Sequence, residues 1–255
     1  MERGSDSRSD PARLFSLVIP LYDEAENVER VAREIVAALE RAGEPFELVL
    51  VDNGSRDRTR ELVTRLASGD RRLRLVLVDK NRGFGSGVLA GLAVARGDAV
   101  GFMGGDGQVS ADDLAAVVAR LRREGLDLVV GRRVARADGW RRRFVSLVYN
   151  GLFRLLFRTR VADVNGSPKA MTRSLLDALA LRSKDWFLDA EIVVKAEALK
   201  ARVGEWPLAF RRREGGASHV RLAAIAEFAR NMIRYRFSPK SRWFRPPAAE
   251  RPGGR

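Results

Sequence analysis

Five short apolar runs set the terms on which this chain folds: LFSLVIPLY from Leu14, FELVLVDN from Phe46, LRLVLVD from Leu73, DAVGFMG from Asp98 and DLVVGRR from Asp127. Each is mostly Val, Leu and Ile and nearly continuous, without regular polar alternation. Strands covered by helices on both faces of a parallel sheet have this composition, because neither face meets water. Helical stretches separate the runs. Val28, Val31, Ile35 and Leu39 recur at helical spacing between charges. A later helix opens at Ser110, with Asp113 three residues on as an acidic relative of the capping box, and continues through Leu114, Val117, Val118 and Leu121. The alternation predicts an α/β, doubly wound open sheet. Ligands of such sheets bind beyond the carboxyl ends of the strands. The sequence puts Asp52, Asn53, Gly54, Asp106, Gln108 and Arg133 there.

The second half is less regular. An apolar and basic stretch from Trp140 to Arg160 leads into DVNGSPK, then a helix around Ser174 to Leu181, then WFLDAEIVVKAEALK. RVGEWPLAF reads as a further strand, RRREGGASHV follows, and a helix runs from about Leu222 to Phe237. No internal repeat is visible. We expect a flexible lead over 1–13, a single domain over 14–237 and a disordered basic tail over 238–255, where Pro, Gly and Arg concentrate.

Charge narrows the choice of partners. Lys and Arg number 47 against 33 for Asp and Glu, a formal net charge of +14, which favours anionic partners: nucleic acid, phosphate-bearing substrates or acidic lipid. With no cysteine, disulfides and Cys-ligated metals are excluded. A single histidine, His219, argues against a zinc site and a Ser-His-Asp triad. The polar opening MERGSDSRSDPAR has no apolar segment of a secretory signal. No run approaches the roughly 18–20 apolar residues of a spanning helix, so membrane contact is expected to be peripheral or through a partner.

Five segments could carry chemistry. In VDNGSRD, Asp52 and Asn53 at a strand end can hydrogen-bond a base or ribose edge; a plain turn uses the same residues. NRGFGSGVLAG crowds Gly83, Gly85 and Gly87 at a helix start, but its spacing departs from a dinucleotide fingerprint, and tight packing or a loop over a ligand is the better reading. In MGGDGQ, Asp106 and Gln108 suit a divalent cation carrying phosphate, or a surface turn. Arg133, Arg141, Arg142 and Arg143 suit phosphate oxygens, or a basic helix face. RRREGGASH gathers Arg213, two glycines, Ser218 and His219 into a loop that can fold over a diphosphate, or stay an exposed basic turn.

In their order, these segments resemble family 2 glycosyltransferases, and within them the dolichol- or polyprenol-phosphate mannose synthase branch. VIPLYDEAENV from Val18 looks like that family's V-I-P-x-Y-N-E-x-x-N, VDNGSRDRT like V-D-D-G-S-x-D-x-T, and NRGFGSGVLAGLAVARGD like its glycine-rich segment. Gly131 and Arg133 match a G-S-R strand end, Arg142 and Ser146 the R-x-x-x-S after it, and Arg213, Gly216 and Ser218 an R-x-x-G-x-S-K. The resemblance implies a GT-A (Rossmann-like) open, mostly parallel sheet with helices on both faces, plus C-terminal amphipathic helices. It implies that Pro20, Tyr22, Glu24, Asp52 and Asn53 hold the nucleotide, and that Asp106 and Gln108 face Mg²⁺ or Mn²⁺ and the diphosphate. Arg133, Arg142, Ser146, Arg213, Ser218 and His219 would hold donor or acceptor phosphates. Asp106, Gln108, Arg133 and Arg213 would carry the catalysis. The implied reaction moves a hexose, mannose or glucose, from a GDP- or UDP-sugar to a polyprenyl or dolichyl phosphate with inversion.

Three positions depart from the pattern. Gly104 stands where the metal motif D-x-D-x-Q has its first Asp, Asn53 replaces an Asp in the nucleotide turn, and His219 replaces a closing Lys. An acceptor phosphate is already anionic, so little deprotonation is needed; Asp189 or Glu191 could approach the reacting centre, but a helix-start or structural role is the stronger reading. Phe144, Leu147, Val148, Leu152, Leu155 and Leu156 make one apolar face bordered by arginines, and Leu222, Ile225, Phe228, Met232 and Ile233 make another. Such helices suit an anionic membrane surface on its cytoplasmic face, with Trp243 and Phe244 in the tail adding to it, and a separate membrane subunit is compatible with them. Two rival readings are a GT-A-fold binding protein that has lost catalysis with the Asp missing at Gly104, and a nucleic-acid-binding protein. The second is disfavoured because the arginines are scattered and no nucleic-acid motif appears, so no nucleic-acid partner is expected.

Overall fold

The five apolar runs become β1 (Phe15–Leu21), β2 (Phe46–Asn53), β3 (Leu73–Val78), β4 (Ala99–Phe102) and β5 (Leu128–Arg136) in a computed structural model that describes residues 13–136, 140–211, 222–238 and 243–244. Every residue of β1, β2 and β4 is buried, as their nearly continuous hydrophobicity predicts. β3 is at the sheet edge and only its first residue is buried. Between and after the strands lie α1 (Val28–Arg41), α2 (Thr59–Gly69), α3 (Phe84–Val94), α4 (Ala111–Arg123) and α5 (Trp140–Phe157). Then come β6 (Lys169–Thr172), α6 (Arg173–Leu179), α7 (Leu188–Ala198), β7 (Val203–Phe210) and α8 (Leu222–Phe237).

The strands form one sheet in the order β3-β2-β1-β4-β6-β5-β7. β6 alone runs antiparallel to its neighbours, β4 and β5; the remaining ladders are parallel. The sequence reading missed β6. It is four residues long, follows Pro168 and opens on a fully buried lysine, Lys169, so neither its length nor its composition announces a central strand.

The period of two along β1 sorts the core. Phe15, Leu17, Ile19 and Leu21 face one layer with α1 and α4 residues such as Ile35, Leu39, Leu114 and Val118. Val18, with Val49 and Val51 of β2, faces the other, against Val88 and Leu92 of α3 and Leu188 and Ile192 of α7. α3 lies close on that face because it presents glycine to it. A Cβ on Gly91 would overlap the Val18 side chain and stand 2.9 Å from Val51 Cγ2. The tight-packing reading of the glycine-rich segment therefore holds.

Two local expectations change. Ser110 caps α4 through Oγ, which accepts the Asp112 N–H at 3.2 Å, but Asp113 does not complete a capping box. Its carboxylate accepts instead from Trp206 Nε1 of β7 at 3.2 Å. Trp243, expected to serve a lipid surface, is buried in a third apolar cluster with Phe153, Phe187 and Met232. Its Nε1 donates to Ser238 Oγ at 2.8 Å and its ring lies 5.7 Å from that of Tyr235. Packing satisfies both its apolar body and its one donor.

Gly91→Val should destabilise the protein by about 1–3 kcal/mol through overpacking between α3 and the sheet. A urea unfolding midpoint unchanged from wild type would contradict this close approach.

Candidate active site

The ladder between β1 and β2 ends with Pro20 opposite Val51 and Leu21 opposite Asp52, which brings the two exit loops together. The loops are then sewn to each other. Asp23 N–H donates to Ser55 Oγ at 3.2 Å, Arg56 N–H to Asp23 Oδ1 at 2.7 Å, Glu24 N–H to Thr59 Oγ1 at 2.9 Å and Ala25 N–H to Asp57 Oδ2 at 3.1 Å. Asp57 also accepts from Thr59 N and Oγ1, so although burial works to raise its carboxyl, these donors hold it below the usual carboxylate range. Asp57 and Thr59 were not singled out from the sequence. Their signal was present, as the D-x-T that closes the VDNGSRDRT match.

Of the residues expected around the nucleotide, Pro20, Glu24, Asp52 and Asn53 are buried and Tyr22 is half-buried at the same sheet edge. Asp52 has no exposed surface. Its Oδ1 accepts the Ser55 N–H at 3.1 Å, and its Oδ2 accepts from Arg60 Nε at 2.7 Å. Glu24 Oε2 accepts from Asn27 Nδ2 at 2.8 Å at the start of α1. Asn53 turns its amide nitrogen to the glycine-rich loop, with Nδ2 donating to Gly83 O at 3.0 Å.

One strand further along, Asp106 sits in the turn after β4. Its Oδ1 accepts the Gln108 N–H at 3.2 Å, and Gly107 takes the left-handed φ of +72° that the turn needs. Gln108 reaches across to the end of β7: its Nε2 donates to Arg211 O at 3.3 Å, and its carbonyl accepts the Arg211 N–H at 2.9 Å. The Asp-Gly-Gln turn is thereby tied to the strand from which the RRREGGASH segment departs. Arg213, Ser218 and His219 in that segment lie outside the described residues, as do the side chains of Arg142 and Ser146 on α5.

Arg133, expected to meet a phosphate, has a different partner here. Its Nε and Nη2 donate to Asp163 Oδ2 and Oδ1, both at 2.6 Å, and its backbone N–H donates to Oδ2 at 3.1 Å. The guanidinium lies over the Phe210 ring. Asp163 leads the DVNGSPK segment. Burial works to raise its carboxyl, yet the Arg133 hydrogen bonds and charge outweigh burial and leave it below the usual range. Asp189 and Glu191 also prove to be structural partners. Asp189 pairs with the buried Lys169, whose Nζ also donates to Gly166 O at 2.7 Å. Glu191 pairs with Lys195 at 2.6 Å and accepts from Ser183 N at 2.7 Å and Tyr235 OH at 2.8 Å.

A divalent cation has modest support from the protein alone. Among the described residues no three His, Cys, Asp or Glu side chains gather to hold one. Asp106 supplies one carboxylate, and a Cβ at Gly104 would come no nearer than 3.7 Å, to Asp106 Oδ1, so the pattern's other carboxylate would fit but is absent. Mg²⁺ is commonly held by one or two carboxylates together with substrate phosphates, and the donor set here fits a cation that arrives with a diphosphate.

The sheet order, the single reversed strand and the two turns at the carboxyl edge define a GT-A glycosyltransferase fold. The chain belongs to glycosyl transferase family 2, whose family model matches residues 16–180. It is similar to glycosyltransferase AglD of Haloferax volcanii, with 33% identity over 201 residues, which are 76% of this chain and 32% of that protein. It is also similar to undecaprenyl-phosphate 4-deoxy-4-formamido-L-arabinose transferase of Edwardsiella ictaluri, 29% identical over 223 residues, 87% of this chain and 67% of the relative. The chain thus spans about a third of one relative and two thirds of the other. Among solved structures, glucosyl-3-phosphoglycerate synthase from Mycobacterium tuberculosis with Mn²⁺, UDP and phosphoglyceric acid superposes with a TM-score of 0.70 at 23% identity, covering 90% of this chain and 80% of that one. That likeness is one of fold.

Asp163→Asn should remove stability that depends on a carboxylate of depressed pKa. Such stability is complete above the unfolded-state pKa of about 3.9 and disappears as pH falls through the lower folded value. The variant should be less stable by on the order of 3 kcal/mol at pH 7, with the difference shrinking below about pH 4. Equal melting temperatures at pH 7 would contradict a stabilising pair.

Proposed function

We propose that the chain transfers a hexose from a nucleoside diphosphate sugar to a polyprenyl phosphate at the surface of a membrane. The observation that carries this reading is the joining of the β1 and β2 exit loops to each other, and of the Asp106–Gln108 turn to β7, along one sheet edge. The names of the undecaprenyl-phosphate relatives support the acceptor class. Asp52 orders the turn on which a nucleoside would rest, and Asp106 with Gln108 stands where the diphosphate would reach. Mg²⁺ or Mn²⁺ bound there would offset charge on the departing nucleotide. A phosphate oxygen of the acceptor, ionised at neutral pH, attacks the anomeric carbon without help from a base, and in-line displacement inverts that centre. This agrees with Asp189 and Glu191 being held in buried pairs. The donor base, GDP or UDP, and the sugar, mannose or glucose, are matters for assay.

A peripheral location on the cytoplasmic face follows the same logic. Among the described residues no helix is long and apolar enough to cross a membrane. Leu152 and Leu155 on α5 and Ile233 and Phe237 on α8 are exposed large apolar side chains, and Arg154, Arg230, Arg234 and Arg236 beside them are exposed cations. That combination suits an anionic headgroup layer, and a separate membrane subunit would serve the same end.

The assay combines the full chain, short-chain polyprenyl phosphate, Mn²⁺ or Mg²⁺ and a panel of radiolabelled UDP- and GDP-sugars. Label should enter the organic phase from one donor, and Asp106→Asn should lower the rate about 10²-fold or more, the scale for losing an electrostatic contact to the developing charge. Absence of transfer from every donor would contradict the proposal. The single carboxylate also favours a second reading, a sugar-nucleotide-binding protein without turnover. Gly104→Asp separates the two: activity that emerges only in this variant assigns the natural chain to the binding class, whereas equal turnover shows that Asp106 and Gln108 suffice.

A further inference from the structure

Asn53 uses one half of its carboxamide. Nδ2 donates to Gly83 O at 3.0 Å and approaches Asn81 Oδ1 at 3.4 Å, while Oδ1 is buried and has no hydrogen-bond partner. The orientation is fixed by chemistry, since a carbonyl oxygen only accepts. Both contacts to the loop are therefore donated, and the unpartnered Oδ1 is a cost this position carries for them. The resembling family's Asp at this place, when ionised, would turn an oxygen toward the Gly83 carbonyl.

The loop that Asn53 holds is braced from within and gripped from two sides. Asn81 Oδ1 accepts the Gly83 N–H at 2.8 Å. A Cβ on Gly54, the residue after Asn53, would lie 2.6 Å from Asn81 N, so the β2 turn and the loop meet backbone to backbone. On the far side Ser86 N–H donates to Lys184 O at 2.9 Å, and Phe84 stacks on Trp186 with ring centroids 4.7 Å apart. Asn53 is the side-chain tie between this loop and the strand end next to Asp52. Gly83 O also receives the Gly87 N–H, so the same carbonyl anchors the first turn of α3.

We propose that Asn53 is a positioning residue for the nucleotide: by donating to Gly83 O it locks the glycine-rich loop over the β2 exit and holds the nucleotide side of the site in its binding shape. The inference rests on the function proposed above and goes beyond it by assigning the departure from Asp a role in loop order. Asn53→Asp, isosteric but without the donor when ionised, is compared with wild type by hydrogen–deuterium exchange and by titration with UDP and GDP, each with Mn²⁺. A melting curve establishes that the variant is folded, and Asn81→Ala, which removes the acceptor shared by the Gly83 N–H and Asn53 Nδ2, serves as the second variant. Amides 83–87 should exchange about tenfold faster at pH 7.5 as local opening becomes easier, and the nucleotide bound by wild type should bind about tenfold more weakly. Unchanged exchange in both variants overturns the lock. Faster exchange with unchanged affinity overturns its link to the nucleotide. If wild type itself binds neither nucleotide, the proposed function fails first, and this inference with it.

Discussion

β1 and β2 lie side by side with no exposed residue in either, and their parallel ladder runs without a break to the pair Leu21–Asp52. The candidate site depends on that ladder. A parallel pair buried on both faces needs a helical layer on each side, and both layers are present: α1 and α4 on one, α3 and α7 on the other. Once the faces are closed, the strand ends are where polar backbone and side chains can gather. Asp52 and Asn53 thus end up buried yet polar, Asp52 held by its own turn and Arg60, and Asn53 by the bond its amide nitrogen donates to the loop at Gly83. The stitches among Asp23, Ser55, Asp57 and Thr59 then hold two exit loops as one body.

The second half of the molecule solves a different problem. It places charged groups in the interior and pairs them: Arg133 with Asp163, Lys169 with Asp189, Lys195 with Glu191. Removing one member of such a pair leaves an uncompensated charge, so the first two pairs, which cross between elements, fix β5, β6, α7 and the DVNGSPK segment relative to one another. Arg133 accordingly ties the end of β5 to Asp163 at the head of the DVNGSPK segment.

Much of this was legible in the sequence where a rule depends on neighbours in the chain. Continuous Val, Leu and Ile runs identified β1, β2 and β4, helical spacing identified α1 and α4, and the family patterns marked Asp52, Asp106 and Gln108. What escaped depended on partners distant in sequence. β6 is too short to carry a period and is a strand because β4 and β5 flank it. Asp113 looked like a cap and is claimed by Trp206, 93 residues on. Trp243 looked like a lipid anchor and is claimed by Tyr235 and Ser238. The pairing of Arg133 with Asp163, 30 residues away, likewise leaves no local signature.

The proposal that the two turns at the sheet edge form one nucleotide diphosphate site has a direct physical test. Mn²⁺ added with UDP or GDP to isotopically labelled protein broadens amide resonances near the bound ion by paramagnetic relaxation. We expect saturable broadening centred on residues 104–108 and reaching 52–55, with residues of the opposite sheet edge, such as 203–206, spared. Broadening centred elsewhere, or none at saturating nucleotide, would contradict a site at Asp106 and Gln108.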